Sequence, residues 1–140
     1  MNVRNRSHWS APASVISLLL FQSISFPAAG TELSGDEVSE LISGNTVEAV
    51  HAIKGFPIIT FFATDGTFRQ LRDSQPEQGT WSIDNNGYLC TDREGWGGEC
   101  RLITHEGTVW KAYRIPKNLM KQRRHKRTFN KILPGNPYQL

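Results

Sequence analysis

The chain has 140 residues, 38% of them hydrophobic and 21% charged, with a formal net charge of +3. That length suits one small domain. Two cysteines are too few for a structural zinc site without nearby histidines, and His105 alone does not complete one.

The N-terminus reads as an export signal. Arg4, Arg6 and His8 make a basic start, Val15 to Phe26 is mostly apolar, and Ala28-Ala29-Gly30 offers small residues for cleavage. The apolar stretch is shorter than the ~20 residues that span a bilayer. No later segment is long and apolar enough to do so, and no lipobox cysteine follows. The expectation is a signal peptide over residues 1–30 and a single small β-rich domain with a basic C-terminal segment over 31–140, periplasmic or secreted. A retained N-terminal anchor is the alternative. Export recasts the cysteines: in an oxidising compartment Cys90 and Cys100 are most simply a disulfide.

Charge is unevenly spread. Thr31 to Glu106 holds all thirteen acidic residues and five basic ones, while Gly107 onward holds nine basic residues and no acidic one. The mature chain is close to neutral and polar from end to end.

In chain order, Ser34 with Glu37 three residues later forms a capping box, and Leu33 with Val38 a hydrophobic staple. Val38, Leu41 and Ile42 give one apolar face, and Gly44 ends a helix of about ten residues, too short to be stable alone. From Thr46 the period becomes two. Strands are predicted over Thr46–Ile53, Phe56–Ala63 (with Pro57 at its start or on a sheet edge), Thr67–Leu71 and Thr80–Ile83. Asp65-Gly66 and Asn85-Asn86-Gly87 mark tight turns, and Ser74–Gly79 reads as a polar connection. Gly87–Ile103 reads as a hairpin stapled by Cys90 and Cys100, His105-Glu106-Gly107 as a turn, and Thr108–Ile115 as a further strand. In Lys117–Lys131 the apolar spacing defeats an amphipathic helix. A polar loop and a last strand near Arg127–Leu133 fit better. The fold class expected is all-β: a small antiparallel β-barrel or meander with one short N-terminal helix.

Several segments together resemble a family of small exported alphaproteobacterial proteins of unknown function. They are Ser43-Gly44-Asn45-Thr46-Val47 after the capped helix, Asp65-Gly66-Thr67-Phe68-Arg69, Gly79-Thr80-Trp81, Tyr88-Leu89-Cys90, Cys100, and Leu133-Pro134-Gly135-Asn136-Pro137. The resemblance covers essentially the whole mature chain. It implies export and a β-rich domain, and it carries over no active-site residues.

Chemistry is sparse. His51 stands three positions after Glu48, which puts them on opposite faces of a strand and argues against a shared site. Asp92, Glu94 and Glu99 surround the stapled loop, but Arg93 intervenes and the oxygen ligands are too few for a calcium loop. No nucleophile elbow, zinc-protease motif, phosphate loop or CxxC pair occurs, and nothing calls for a cofactor or metal. Trp96, between glycines at the hairpin tip, is a candidate binding anchor; the plainer expectation is that it packs on a neighbouring strand. Lys121, Arg123, Arg124, Lys126 and Arg127 form the second candidate binding group. They either pair with the acidic body or meet an anionic surface (lipid head groups or polysaccharide) or another envelope protein. Nucleic acid is disfavoured by export and by the lack of interleaved aromatics.

The first functional expectation is thus an exported non-enzymatic binding or interaction module. An alternative is a lipocalin-like carrier of a small apolar ligand lined by Phe61, Phe68, Trp81 and Trp110. A weaker third is a hydrolase using carboxylates near the stapled loop.

Overall fold

A computed structural model describes residues 30–118 and 121–140. The predicted signal peptide before Gly30, and Leu119 and Met120 of the basic segment, lie outside the described residues.

The chain opens with strand β1 (Thr31–Glu32) and helix α1 (Gly35–Ile42), followed by eight longer strands. These are β2 (Asn45–His51), β3 (Pro57–Phe62), β4 (Thr67–Arg72), β5 (Gln75–Ile83), β6 (Leu89–Arg93), β7 (Gly97–Glu106), β8 (Val109–Arg114) and β9 (Arg124–Pro134). Each pairs antiparallel with its chain neighbours, and β9 returns to β2, so β2 to β9 close an eight-stranded up-and-down barrel. β1 continues the sheet beside β7 at His105 and Thr104, beyond where β6 pairs with it.

One end of the barrel is closed. The Ser34–Glu37 capping box forms as the sequence predicts, with Ser34 N donating to Glu37 Oε2 at 2.7 Å. α1 is one turn too short to stand alone and is held by burial. Val38 and Ile42 are fully buried among Val47, Phe62, Phe68, Leu89 and Ile103. The Asn45 side chain donates to the Leu41 carbonyl at 3.0 Å, tying the helix end to β2. Trp81, half-buried in this cluster, donates its indole N–H to the Ala63 carbonyl at 2.9 Å, which satisfies its polar edge.

Four expectations need correction. Ser74–Gly79 is not a connection. β5 begins at Gln75, and the turn is only Asp73-Ser74, both with positive φ, as a tight two-residue hairpin requires. The polar run was misleading because Glu77 faces the barrel interior, where an apolar residue is ordinarily expected. His105 and Glu106 belong to β7, so the turn is Gly107-Thr108. β9 starts at Arg124, three residues before the expected Arg127, which places Arg124, His125 and Lys126 in a barrel strand rather than a loop. Phe61 alternates with the buried Thr60 and Phe62 and lies on the outer face, so it cannot line the interior.

Candidate functional site

The inward positions of nearly every barrel strand run from apolar at the closed end to polar or charged at the other. Phe68 gives way to Gln70 and Arg72, Trp81 to Glu77, and Leu89 to Thr91 and Arg93. Ile103 gives way to Arg101 and Glu99, Ala112 to Arg114, and Phe129 to Arg127. Because the meander reverses direction at each turn, charged residues fall alternately at the ends and starts of successive strands. In space they share one end, the mouth. Only β3 breaks the pattern, with Ile58 buried at the mouth side.

A cavity of about 250 Å³ opens there. Its walls carry Arg72, Arg93, Arg101, Arg114, Lys126 and Arg127. Two inward carboxylates, Glu77 and Glu99, face these six cations. Glu77 accepts from Arg93 at 3.0 Å and Glu99 from Arg101 at 2.5 Å, with Arg114 at 3.2 Å. Neutral groups extend the network inward. Thr60 Oγ1 donates to Gln70 Oε1 at 3.1 Å, the Gln70 amide donates to Glu77, and Arg101 Nη1 donates to Thr91 Oγ1 at 3.1 Å.

The cations outrun their partners. Arg101 is 5% exposed, yet its Nε–H is buried with no acceptor. Arg127 makes one long hydrogen bond, to Gln70 Oε1 at 3.4 Å, and has no ion pair among the described residues. Burial, and then the charge of Arg101, push the Arg127 guanidinium down to about 9. Burial likewise lowers Arg101, with Glu99 opposing it. Burial raises the Glu99 carboxyl, but Arg101 and Arg114 outweigh it and hold Glu99 below its ordinary value. His51 sits at the same rim with its ring 4.7 Å from Phe56. Burial and then Arg72 lower its pKa, and its Nδ1 accepts from the Lys54 and Ile53 amides. His51 is therefore neutral and adds no positive charge at pH 7.

The stapled hairpin overhangs this mouth. Cys90 and Cys100 are directly opposed in register, and their sulfurs are bonded at 1.98 Å. Asp84 lies near them, but disulfide sulfurs are not thiolate ligands, so that group is no metal site. At the tip, Gly95 and Gly97 take positive φ and present Trp96 outward. Trp96 is 76% exposed, contrary to the expectation that it packs on a strand, and its ring lies 5.4 Å from the Arg93 guanidinium carbon. Ile53, 73% exposed, stands in the β2–β3 loop at the same end.

The predicted basic group is thereby divided. Arg127 and Lys126 line the cavity; Arg124, at the start of β9, and Arg123 and Lys121, in the β8–β9 connection, lie outside it. Arg123 pairs with Glu32 at 2.7 Å, both well exposed, so contact between the basic segment and the acidic body is slight there. Asp92 and Glu94 are exposed and do not converge with Glu99, which faces inward. Arg72, Arg93, Arg101, Arg114 and Glu77 were not singled out from the sequence. Their signal was register: each occupies the inward phase of a strand at its mouth-side end.

The chain matches no family model, no curated protein and no solved structure.

Proposed function

We propose that the protein is an exported, non-enzymatic binding module that receives the anionic part of its partner at the open mouth of the barrel. Export rests on the basic, apolar and small-residue layout of residues 1–30 and agrees with the Cys90–Cys100 disulfide. The observation that carries the binding reading is the imbalance at the mouth, where six cations and one carboxylate, Glu99, line the cavity and Glu77 pairs with Arg93 beside it. Low-dielectric walls focus such a field and raise the local concentration of anions. Trp96 at the rim and Lys121, Arg123 and Arg124 beside it extend the surface that a larger partner would touch. Catalysis has no support in these contacts, because Glu77 and Glu99 are both committed to arginines and neither faces a nucleophile.

A carrier of small apolar ligands would keep the same fold, but the lining disfavours it. Phe68 is 2% exposed and belongs to the packed core, and the cavity that remains is lined by charge.

Co-sedimentation with vesicles tests the reading. Wild-type protein should bind phosphatidylglycerol vesicles in preference to phosphatidylcholine vesicles, with affinity falling steeply as salt rises. Replacing Arg114 and Lys126 at the mouth, together with Lys121, Arg123 and Arg124 beside it, by Ser should abolish the preference. Equal binding to neutral and anionic surfaces, or full binding by the variant, would overturn it.

A further inference from the structure

Among the described residues, one side-chain polar atom is buried with no partner, Arg101 Nε. Buried donors are paired in nearly all folded proteins, and each exception asks for an explanation. Arg127, in the same cavity, offers five donors and uses one, on a long bond to Gln70. Lys126 lines that cavity too and has no carboxylate partner among the described residues. A cluster of like charges with open donors is costly to fold. A group with several acceptor oxygens and more than one negative charge would satisfy these donors together. Guanidinium forks match such oxyanions in geometry as well as charge. Two grooves of about 630 Å³ each run along Arg69, Gln78 and Glu94, and one of about 690 Å³ runs along Arg114, Lys117 and Arg123; none of the three is lined by such an orphaned donor.

We infer that the cavity lined by Arg101, Arg127 and Lys126 is the seat of a phosphate-class oxyanion, borne either by a small phosphate monoester or by a phospholipid head group. This deepens the reading of the mouth as an anion-receiving site and rests on it. At about 250 Å³ the cavity holds a phosphate and a few atoms of whatever carries it, with Trp96 at the rim to cover the remainder. Glu99 has a defined part. It holds Arg101 by Nη2 at 2.5 Å while Thr91 holds Nη1, so the guanidinium is fixed in the cavity wall with its Nε unpartnered.

The test uses the mature protein and separate probes: inorganic phosphate, glycerol phosphate, sulfate, acetate and phosphatidylglycerol vesicles, each against chloride at matched ionic strength. Thermal unfolding and phosphorus-31 line broadening are the readouts. Phosphate and glycerol phosphate should raise the melting temperature and saturate, acetate should not, and R127M should weaken phosphate binding at least tenfold. R127M removes one charge from a crowded cluster, so its melting temperature without anion should match or exceed the wild type, which separates lost binding from lost folding. Should R127M not fold, R127K keeps the charge without the fork and should weaken phosphate several-fold. A response to vesicles but not to soluble phosphates assigns the head group as the source; the reverse assigns the monoester. Phosphate binding unchanged in R127M and R127K, or a response no greater than that to acetate, would overturn the seat. Vesicle binding that still depends on the rim lysine and arginines would leave the broader reading standing in that event.

Discussion

At Arg101 the guanidinium nitrogens meet different fates: Nη1 donates to Thr91, Nη2 to Glu99, and Nε to nothing. At Trp96 the sequence pattern and the structure part company, because the ring stays in solvent over Arg93. An exposed side chain of this kind contributes little to stability, so W96A should unfold within about 0.5 kcal/mol of wild type while weakening partner binding. A melting curve beside a binding isotherm checks both; a large stability loss would mean the ring packs after all. Away from the mouth, Glu106 gives a pH prediction. Hydrogen bonds from Lys111 and Tyr113, ahead of one from Thr104, hold its carboxyl at about 2 against an ordinary 4.5. Between those values the unfolded chain takes up the proton and the folded chain does not, so stability rises with pH across that window. E106Q should therefore melt a few degrees below wild type at pH 6, and the difference should vanish towards pH 2. A constant difference at both values would contradict this.

The elements divide into those that hold the barrel and those that shape its mouth. α1 belongs to the first kind. Its capping box is local and readable, but its stability comes from Val38 and Ile42, both fully buried. I42A should cost about 2–5 kcal/mol by the usual range for such truncations, measured by urea unfolding, with anion binding intact at the far end. The β6–β7 hairpin belongs to both kinds. Its disulfide closes a short loop across directly opposed residues. Loop-entropy reasoning gives about 2–3 kcal/mol for the bridge, so C90S/C100S should melt roughly 10 °C lower; no shift would remove the staple from the account. The same strands show what was legible in sequence. Apolar alternation placed β2, β3, β4 and β6 within a few residues. β5 was cut short because Gln75, Pro76, Glu77 and Gln78 look like a loop, yet Glu77 is an inward residue whose partner is Arg93. Polarity at an inward position hid a strand and marked the site at once.

For the whole molecule, the relevant charge asymmetry is not body against tail. The basic stretch after Gly107 supplies two strands of the barrel wall, β8 and β9, and its Arg114, Lys126 and Arg127 join Arg72, Arg93 and Arg101, which come from the otherwise acidic body. Composition along the chain cannot show this, because alternate strands contribute from opposite ends and the convergence exists only once the meander closes. What was legible was the barrel, the helix and the disulfide; what was not was the exposure of Trp96 and the polarity gradient inside. Local rules of burial are broken at one end of an otherwise consistent fold, and such departures mark functional sites. The most direct test is a nitrogen-15 titration of the protein with glycerol phosphate, following the indole and guanidinium N–H signals. The account predicts saturable shifts at Arg101 Nε, Arg127 Nε and Trp96 Nε1, with Trp81 Nε1, bonded to Ala63 at the closed end, unmoved. Shifts confined to Lys121 and Arg123, or none at Arg101 and Arg127, would contradict it.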